Sequence, residues 1–307
     1  MGQAARLITG LLLLMAAAPA AAADFTLTVA HGGLTRTALV HVPDTGAGRA
    51  RPVVLNLHGG GASAESHRKW THMDAAADRH GFVVVYPNGS SGIGGSLLTW
   101  NAGTCCGRAQ ARNVDDVGFL LRLLGALEHR VAVDRARVYV TGLSNGSMMA
   151  QRLAAEAADR IAAVAPVAGA LALRAFAPSR PMPVMHIHSV DDPRALYPGG
   201  SGPPFPGTSA RILHTAVEDS LHRWTTFDGC PDAPETAPAV HGADGHSATR
   251  LTWGPCRDGV EVVLWRLTGA GHVWPGAEAL LPKMLGPATS VLDANEEIWR
   301  FFARFSR

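Results

Sequence analysis

The chain has 307 residues, 47% of them hydrophobic, with 27 basic and 25 acidic side chains and a formal net charge of +2. That balance, without a basic cluster or an acidic tail, argues against a nucleic-acid partner, and nothing beyond the first two dozen residues is apolar for long enough to cross a membrane. Residues 1–23 read as a secretory signal peptide: Arg6, an apolar run from Leu7 to about Ala18, then small residues ending near Ala23 in an A-x-A pattern before Asp24. The apolar run is too short for a membrane anchor, since about 20 residues are needed. Residues 24–307 are therefore expected to form the mature chain, secreted or periplasmic, as one α/β domain with no membrane contact after leader removal.

In chain order, Phe25–Val29 and Ala38–Val42 alternate apolar and polar residues around His31-Gly32-Gly33, which predicts an antiparallel hairpin at a sheet edge. Val53–Leu57 is a mostly apolar strand, 65–79 a helix and Phe82–Tyr86 a second such strand. Residues 113–130 carry helical spacing at Val117, Leu120, Leu121, Leu124 and Leu127. Val138–Thr141 is a strand leading into a helix over 145–157, and Ile161–Val167 and Val184–His188 are strands. The Gly/Pro-rich stretch 198–207 is a loop. A helix over 215–227, a strand over Val260–Leu267 and a helix over 291–305 complete the pattern. Strands alternating with helices predict an α/β fold: a mostly parallel central sheet flanked by helices on both faces.

The four cysteines are Cys105, Cys106, Cys230 and Cys256. In an exported chain disulfides are expected, and Cys230–Cys256 is the favoured pair because it closes a polar, Pro/Gly-rich excursion, a closure worth about 3.5 kcal/mol by loop entropy. Cys105 and Cys106 are then left to each other, where a bond between neighbours is strained; reduced thiols or crossed pairing are the alternatives. No pair has the C-x-x-C spacing of a zinc site, so no metal is expected.

Gly142-Leu143-Ser144-Asn145-Gly146 joins a strand to a helix. Glycines on both sides allow a sharp turn that presents the Ser144 hydroxyl at the carboxyl edge of the sheet, above a helix N-terminus. Such a serine needs a general base, and His272 is the choice among 14 histidines because Gly269–Gly276 forms a rigid turn directly after the strand Val262–Leu267. The acid that orients the base falls between the two in chain order. Asp191 and Asp192 both follow the strand at 184–188; Asp192 is preferred because Pro193 restricts its backbone, with Asp191 as the fallback. An oxyanion needs two backbone donors: one is Asn145, and the other comes from His58-Gly59-Gly60-Gly61, with Gly60 chosen over Gly59. His58 supports that loop rather than acting as base. Trp100 and Trp274, two of seven tryptophans, sit in loops near this site and are expected to wall the substrate.

Leu57–Gly61, Trp100–Gly103, Cys105–Gly107, Val114–Phe119, Gly142–Gly146 and Gly271–Gly276 occur together in this order. In these motifs the chain resembles the secreted polyhydroxybutyrate depolymerase and feruloyl esterase-like group of α/β-hydrolases, over roughly residues 30–305. The resemblance implies the α/β-hydrolase fold and a carboxylic ester hydrolase with Ser144 as nucleophile, His272 as base and the Asp191/Asp192 corner as acid. At the acid loop His188-Ser189-Val190-Asp191-Asp192 stands where the family reads His-Gly-Thr-x-Asp, which again selects Asp192. Asp115 or Asp116 is a candidate anchor for the loop carrying Trp100. The expected partner is an ester: a soluble or amorphous ester, a 3-hydroxyalkanoate oligomer or a feruloyl ester, without an organic cofactor. An acyltransferase on the same fold and a catalytically inert secreted binding protein are the competing readings.

Overall fold

The computed structural model describes residues 23–44, 48–90, 97–205 and 209–307. The leader assigned to residues 1–23 lies outside them, apart from Ala23, which opens the first strand. β1 (Ala23–His31) and β2 (Leu34–Val42) form the expected antiparallel edge hairpin. β3 (Arg51–Leu57), α1 (Ala64–Thr71), α2 (Met73–His80) and β4 (Val83–Pro87) follow. Next come α3 (Gly107–Ala111), α4 (Asp116–Glu128), β5 (Val133–Leu143), α5 (Asn145–Glu156), β6 (Ala163–Val167) and β7 (Val184–Ser189).

A short ribbon of β8 (Gly200–Ser201) and β9 (Leu213–His214) precedes α6 (Val217–Asp228). Then come β10 (Glu235–Thr236), β11 (Val240–His241), β12 (Ser247–Trp253), β13 (Val262–Thr268), α7 (Pro282–Leu285) and α8 (Ala294–Phe302).

Among the described residues the main sheet runs β1-β2-β4-β3-β5-β6-β7-β13-β12-β10, with β11 paired to β12. The six strands from β4 to β13 are parallel, and antiparallel strands finish both edges. Every residue of β3, β4, β6 and β7 is buried, as apolar strands covered on both faces require. Alternation sorts their side chains: Val53, Leu55, Leu57, Val138, Val140 and Val164 pack beneath α4, α5 and α6. Val54, Val84, Tyr139, Ala163 and Met185 face the other way, toward α1, α2 and α8. Because the six central strands are parallel, their carboxyl ends share one edge.

The single helix read over 65–79 is two. His72 takes the left-handed conformation (φ 50°) between α1 and α2. The Thr71 carbonyl accepts instead from the Asn295 side chain (2.8 Å), a distant contact that local periodicity does not contain. The polar excursion after α6 also differs from the expectation of a loop. Its Ser247–Trp253 stretch pairs with β13 along its whole length, and the Cys230–Cys256 disulfide ties the start of the excursion to its end. β12 is only half-buried, so its pattern is too polar to announce a strand. Cys105 and Cys106 are joined to each other. Among the described residues no helix is long and apolar enough to cross a membrane.

At the end of α6, Asp228 is fully buried: one carboxylate oxygen accepts from the Met182 amide (3.1 Å) and the other has no hydrogen-bond partner among the described residues. Burial pushes this carboxyl up to about 7, against the pull of the Met182 amide and of Arg257 and Arg180. A carboxyl raised in the folded state stabilises fully below its unfolded value near 4, and that contribution is lost as pH rises through about 7. Asp228→Asn is therefore expected to melt a few degrees above the wild type at pH 8 and level with it near pH 4. Paired thermal melts check this; an equal difference at both pH values would contradict it.

Candidate active site

β5 ends at Leu143, and the next residue reverses the chain. Ser144 has φ 58° and ψ −119°, a conformation that costs a residue with a β-carbon about 1–3 kcal/mol. The surroundings enforce it. The Ser144 amide donates to the Val167 carbonyl of β6 (2.9 Å), and the Ser144 carbonyl accepts from Met148 (3.0 Å), the first turn of α5. The flanking glycines are required by close approach: a β-carbon on Gly142 would stand 2.6 Å from the Leu57 carbonyl oxygen, and one on Gly146 would stand 2.5 Å from that of His58. Ser144 is half-buried, at the carboxyl edge of the sheet.

The loop after β3 lies against this elbow. A β-carbon on Gly59 would be 3.5 Å from the Ser144 β-carbon, and one on Gly60 would be 3.5 Å from the Asn145 β-carbon. His58 fixes the loop. Its Nδ1 donates to the Gly59 carbonyl (2.8 Å), so its Nε2 is the acceptor for the Gly89 amide (2.9 Å). Burial pushes His58 down to about 4, which keeps the ring neutral in this role. Asn145 secures the opposite side: its Oδ1 accepts from the Trp100 amide (2.7 Å) and its Nδ2 donates to the Trp100 carbonyl (3.1 Å), with Cys105 Sγ 3.9 Å away.

Asp116 anchors that loop, through a bond from the Asn101 amide (2.7 Å) and a buried ion pair to Arg36 (2.6 Å). Asp115 instead caps α4 through the Gly118 amide (2.9 Å) and meets His31 (2.7 Å).

Two further loops leave the same edge. Asp192 lies three residues past β7, and His272 four residues past β13. Their side chains meet, His272 Nδ1 to Asp192 Oδ2, at 2.7 Å, and both are buried. The other oxygen of Asp192 accepts from the Arg194 and Ala195 amides at 2.7 and 2.8 Å. Burial alone would push this carboxyl up, yet His272 and His188 hold it well below the usual carboxylate range. Asp191 does not touch His272; it accepts from the Gly269 amide (2.7 Å) and ties the two loops together. With Nδ1 directed at the carboxylate, Nε2 of His272 is the nitrogen left for chemistry, and no hydrogen bond engages it among the described residues.

One expectation needs correction. Trp100 and Trp274 do not wall an accessible site: both are completely buried. Their indole N–H groups are spent internally, Trp100 on the His58 carbonyl (2.9 Å) and Trp274 on Asn295 (3.1 Å). They support the loops from beneath, because a large ring gains most from the core. The aromatic residue beside the elbow is Phe205, in the Gly/Pro-rich loop. Its ring stands 3.6 Å from a β-carbon position on Gly60 and 3.5 Å from one on Gly61, which Leu97 also approaches to 4.0 Å. Three histidines also lie here without a role in the site assigned from the sequence. His186 and His188 lie behind Asp192, and His214, pushed down to about 4 by burial against the pull of Asp192, lies near it on β9. The signals available were the two-residue spacing of His186 and His188 on a strand, which puts both rings on one face, and the place of His188 at the head of the acid-loop motif. Among the described residues no cluster of side chains could hold a metal ion.

Strand order, elbow and loop placement are those of an α/β-hydrolase. A family model described as esterase PHB depolymerase matches residues 37–225. The chain belongs to that family. It is 31% identical over 274 residues to putative esterase NocK of Nocardia uniformis subsp. tsuyamanensis, covering 83% of this chain and 76% of that protein. It is 28% identical over 243 residues to feruloyl esterase B of Piromyces equi, covering 77% of this chain and 42% of the other. The chain spans less than half the length of two of the curated relatives it matches. The fold is also that of an acetyl xylan esterase from Aspergillus awamori: TM-score 0.62, 14% identity, 91% of this chain and 99% of that one.

Proposed function

We propose that the protein is an exported serine esterase that cleaves carboxylic esters of aromatic acids such as ferulate, or of short 3-hydroxy acids, through an acyl-enzyme. The observation that carries the reading is the buried bond between His272 Nδ1 and Asp192 Oδ2, on loops leaving the sheet edge where the strained elbow presents Ser144. Ser144 Oγ attacks the ester carbonyl as His272 Nε2 takes its proton, and Asp192 stabilises the imidazolium. The Gly60 and Asn145 amides hold the oxyanion. His272 then protonates the departing alkoxide, and water activated by the same nitrogen releases the acid. Relatives named as esterases support the ester-cleaving chemistry. The leader sequence, with two disulfides, supports export.

A hydrolysis panel of methyl ferulate, 3-hydroxybutyrate oligomers, acetylated xylan and p-nitrophenyl esters tests the reading by product analysis. Turnover of methyl ferulate or of the oligomers is expected; failure to release acid from any of the panel would refute it. In the same panel Phe205 acts as the acyl wall over the Gly60–Gly61 turn. Aromatic stacking contributes about 0.5–1.5 kcal/mol, so Phe205→Ala is expected to raise KM for methyl ferulate about 3–10-fold. The KM for p-nitrophenyl acetate, with its small acyl group, should move less than about twofold. Equal changes for both esters would remove Phe205 from the acyl site.

A further inference from the structure

β7 carries His186 and His188 on one face, both buried, with rings stacked 5.2 Å apart and 11° from parallel. His186 Nε2 lies 3.0 Å from His188 Nδ1. His188 Nε2 lies 2.7 Å from the Ala195 carbonyl oxygen and 3.4 Å from Asp192 Oδ2. A carbonyl only accepts, so His188 Nε2 carries a hydrogen. His186 Nε2 donates to His188 Nδ1, because the other nitrogen of His186 is buried without a partner among the described residues and an unpaired N–H is the costlier orphan. His186 therefore keeps a bare Nδ1. Burial holds His186 well below its ordinary range, so it donates as a neutral ring. The series ends at the Ala195 carbonyl, with Asp192 Oδ2 3.4 Å from the same nitrogen.

We propose that His188, locked by His186, is a positioning residue for the reaction: its Nε2–H holds the carbonyl of Ala195, whose amide binds one oxygen of Asp192, and stands 3.4 Å from the other oxygen, the one that receives His272. This rests on the serine esterase reading. Both ends of the 192–195 turn are thereby fixed to one ring, and the carboxylate is aimed by a side chain that never meets substrate. The titratable and charged groups facing this cluster are His272 after β13, His214 on β9, Arg194 and Asp191 on the acid loop, and Arg266 opposite His188 on β13. Tyr197 meets the His188 ring edge-on at 5.9 Å and donates to Glu218 (3.3 Å).

The consequence is a pH shift with a definite sign. An N–H removed from beside the Asp192 carboxylate leaves it more basic, so it holds the imidazole N–H more tightly and stabilises the imidazolium. The neutral ring that accepts the Ser144 proton then prevails only at higher pH. His188→Phe, which keeps an aromatic ring without a donor, is expected to move the ascending limb of the kcat/KM profile up by about 0.5 unit and to lower kcat about 10-fold with KM near the wild-type value. His188→Gln, whose amide nitrogen reaches the same place, should bring the limb back toward the wild-type position. His186→Phe, which removes only the ring behind, should shift it in the same direction by less. All rates are normalised to sites titrated with a fluorophosphonate probe, so a fraction of misfolded enzyme does not enter. Should His188→Phe give no folded enzyme, His186→Phe and His188→Gln carry the test. A probe-labelled His188→Phe enzyme, or in its absence His186→Phe, with the wild-type limb would overturn the positioning role alone. A wild type that takes up no probe would overturn the esterase reading beneath it.

Discussion

Ser144→Ala is expected to lower kcat on p-nitrophenyl butyrate by about 10⁴–10⁶-fold, with a melting temperature within a few degrees of the wild type. The size follows from the division of labour at the sheet edge. The hydroxyl is the only part of the proposed machinery that bonds to the acyl carbon, and what remains after its loss is the pair of backbone donors and water. The fold should tolerate the change because alanine keeps the β-carbon that already occupies the positive-φ elbow, and because the elbow is held by the Val167 and Met148 backbone bonds rather than by the hydroxyl. Ser144→Gly is the useful companion: it relieves the φ of 58°, so it should be the more stable of the two while equally inactive. Ser144→Ala retaining the wild-type rate would remove the nucleophile from the account.

Asp116→Ala is expected to cost about 3–5 kcal/mol of stability, read as a fall in melting temperature of roughly 10 °C. Arg36 and Asp116 are both buried and 2.6 Å apart. Burial pushes the carboxyl up and lowers the guanidinium's proton affinity, while each partner opposes the shift of the other. Truncation strands the guanidinium beside the Asn88 carbonyl (3.0 Å) and the Phe119 and Trp100 rings. It also frees the Asn101 amide, which secures the loop that Asn145 grips from the other side. Activity per folded molecule should therefore fall as well, through a less ordered elbow. Melts and probe titration on the same preparation separate the two effects. A variant as stable as the wild type would show that the ion pair contributes no net stability.

Much of the site was legible because its chemistry is written in short local patterns. Gly142–Gly146 needs its glycines for close backbone approach, and strand–turn–helix order announced the elbow. The His-Gly-Gly-Gly turn and the histidine after β13 were identified in the same way. The sheet was legible where strands are buried on both faces and therefore read as continuous apolar runs. What the sequence concealed depends on distant partners. The carbonyl freed at the break by His72 is taken up by Asn295, more than two hundred residues away. β12 is a half-exposed edge strand whose polarity hides its pairing. Phe205 sits in a Gly/Pro-rich loop without periodicity, and only the folded chain brings it over Gly60. Trp100 and Trp274 lie in loops near the site in sequence, yet their size commits them to the core. His186 looked like an ordinary strand residue, and the acid-loop motif gave His188 a place but no role, because only the folded chain shows its ring beside the carboxylate.

Labelling with a fluorophosphonate probe followed by peptide mass spectrometry tests the central claim most directly. The account predicts one adduct, on Ser144, formed rapidly in the wild type and slowed by orders of magnitude in His272→Ala. An adduct on another residue, or a folded wild-type protein that remains unmodified, would contradict it.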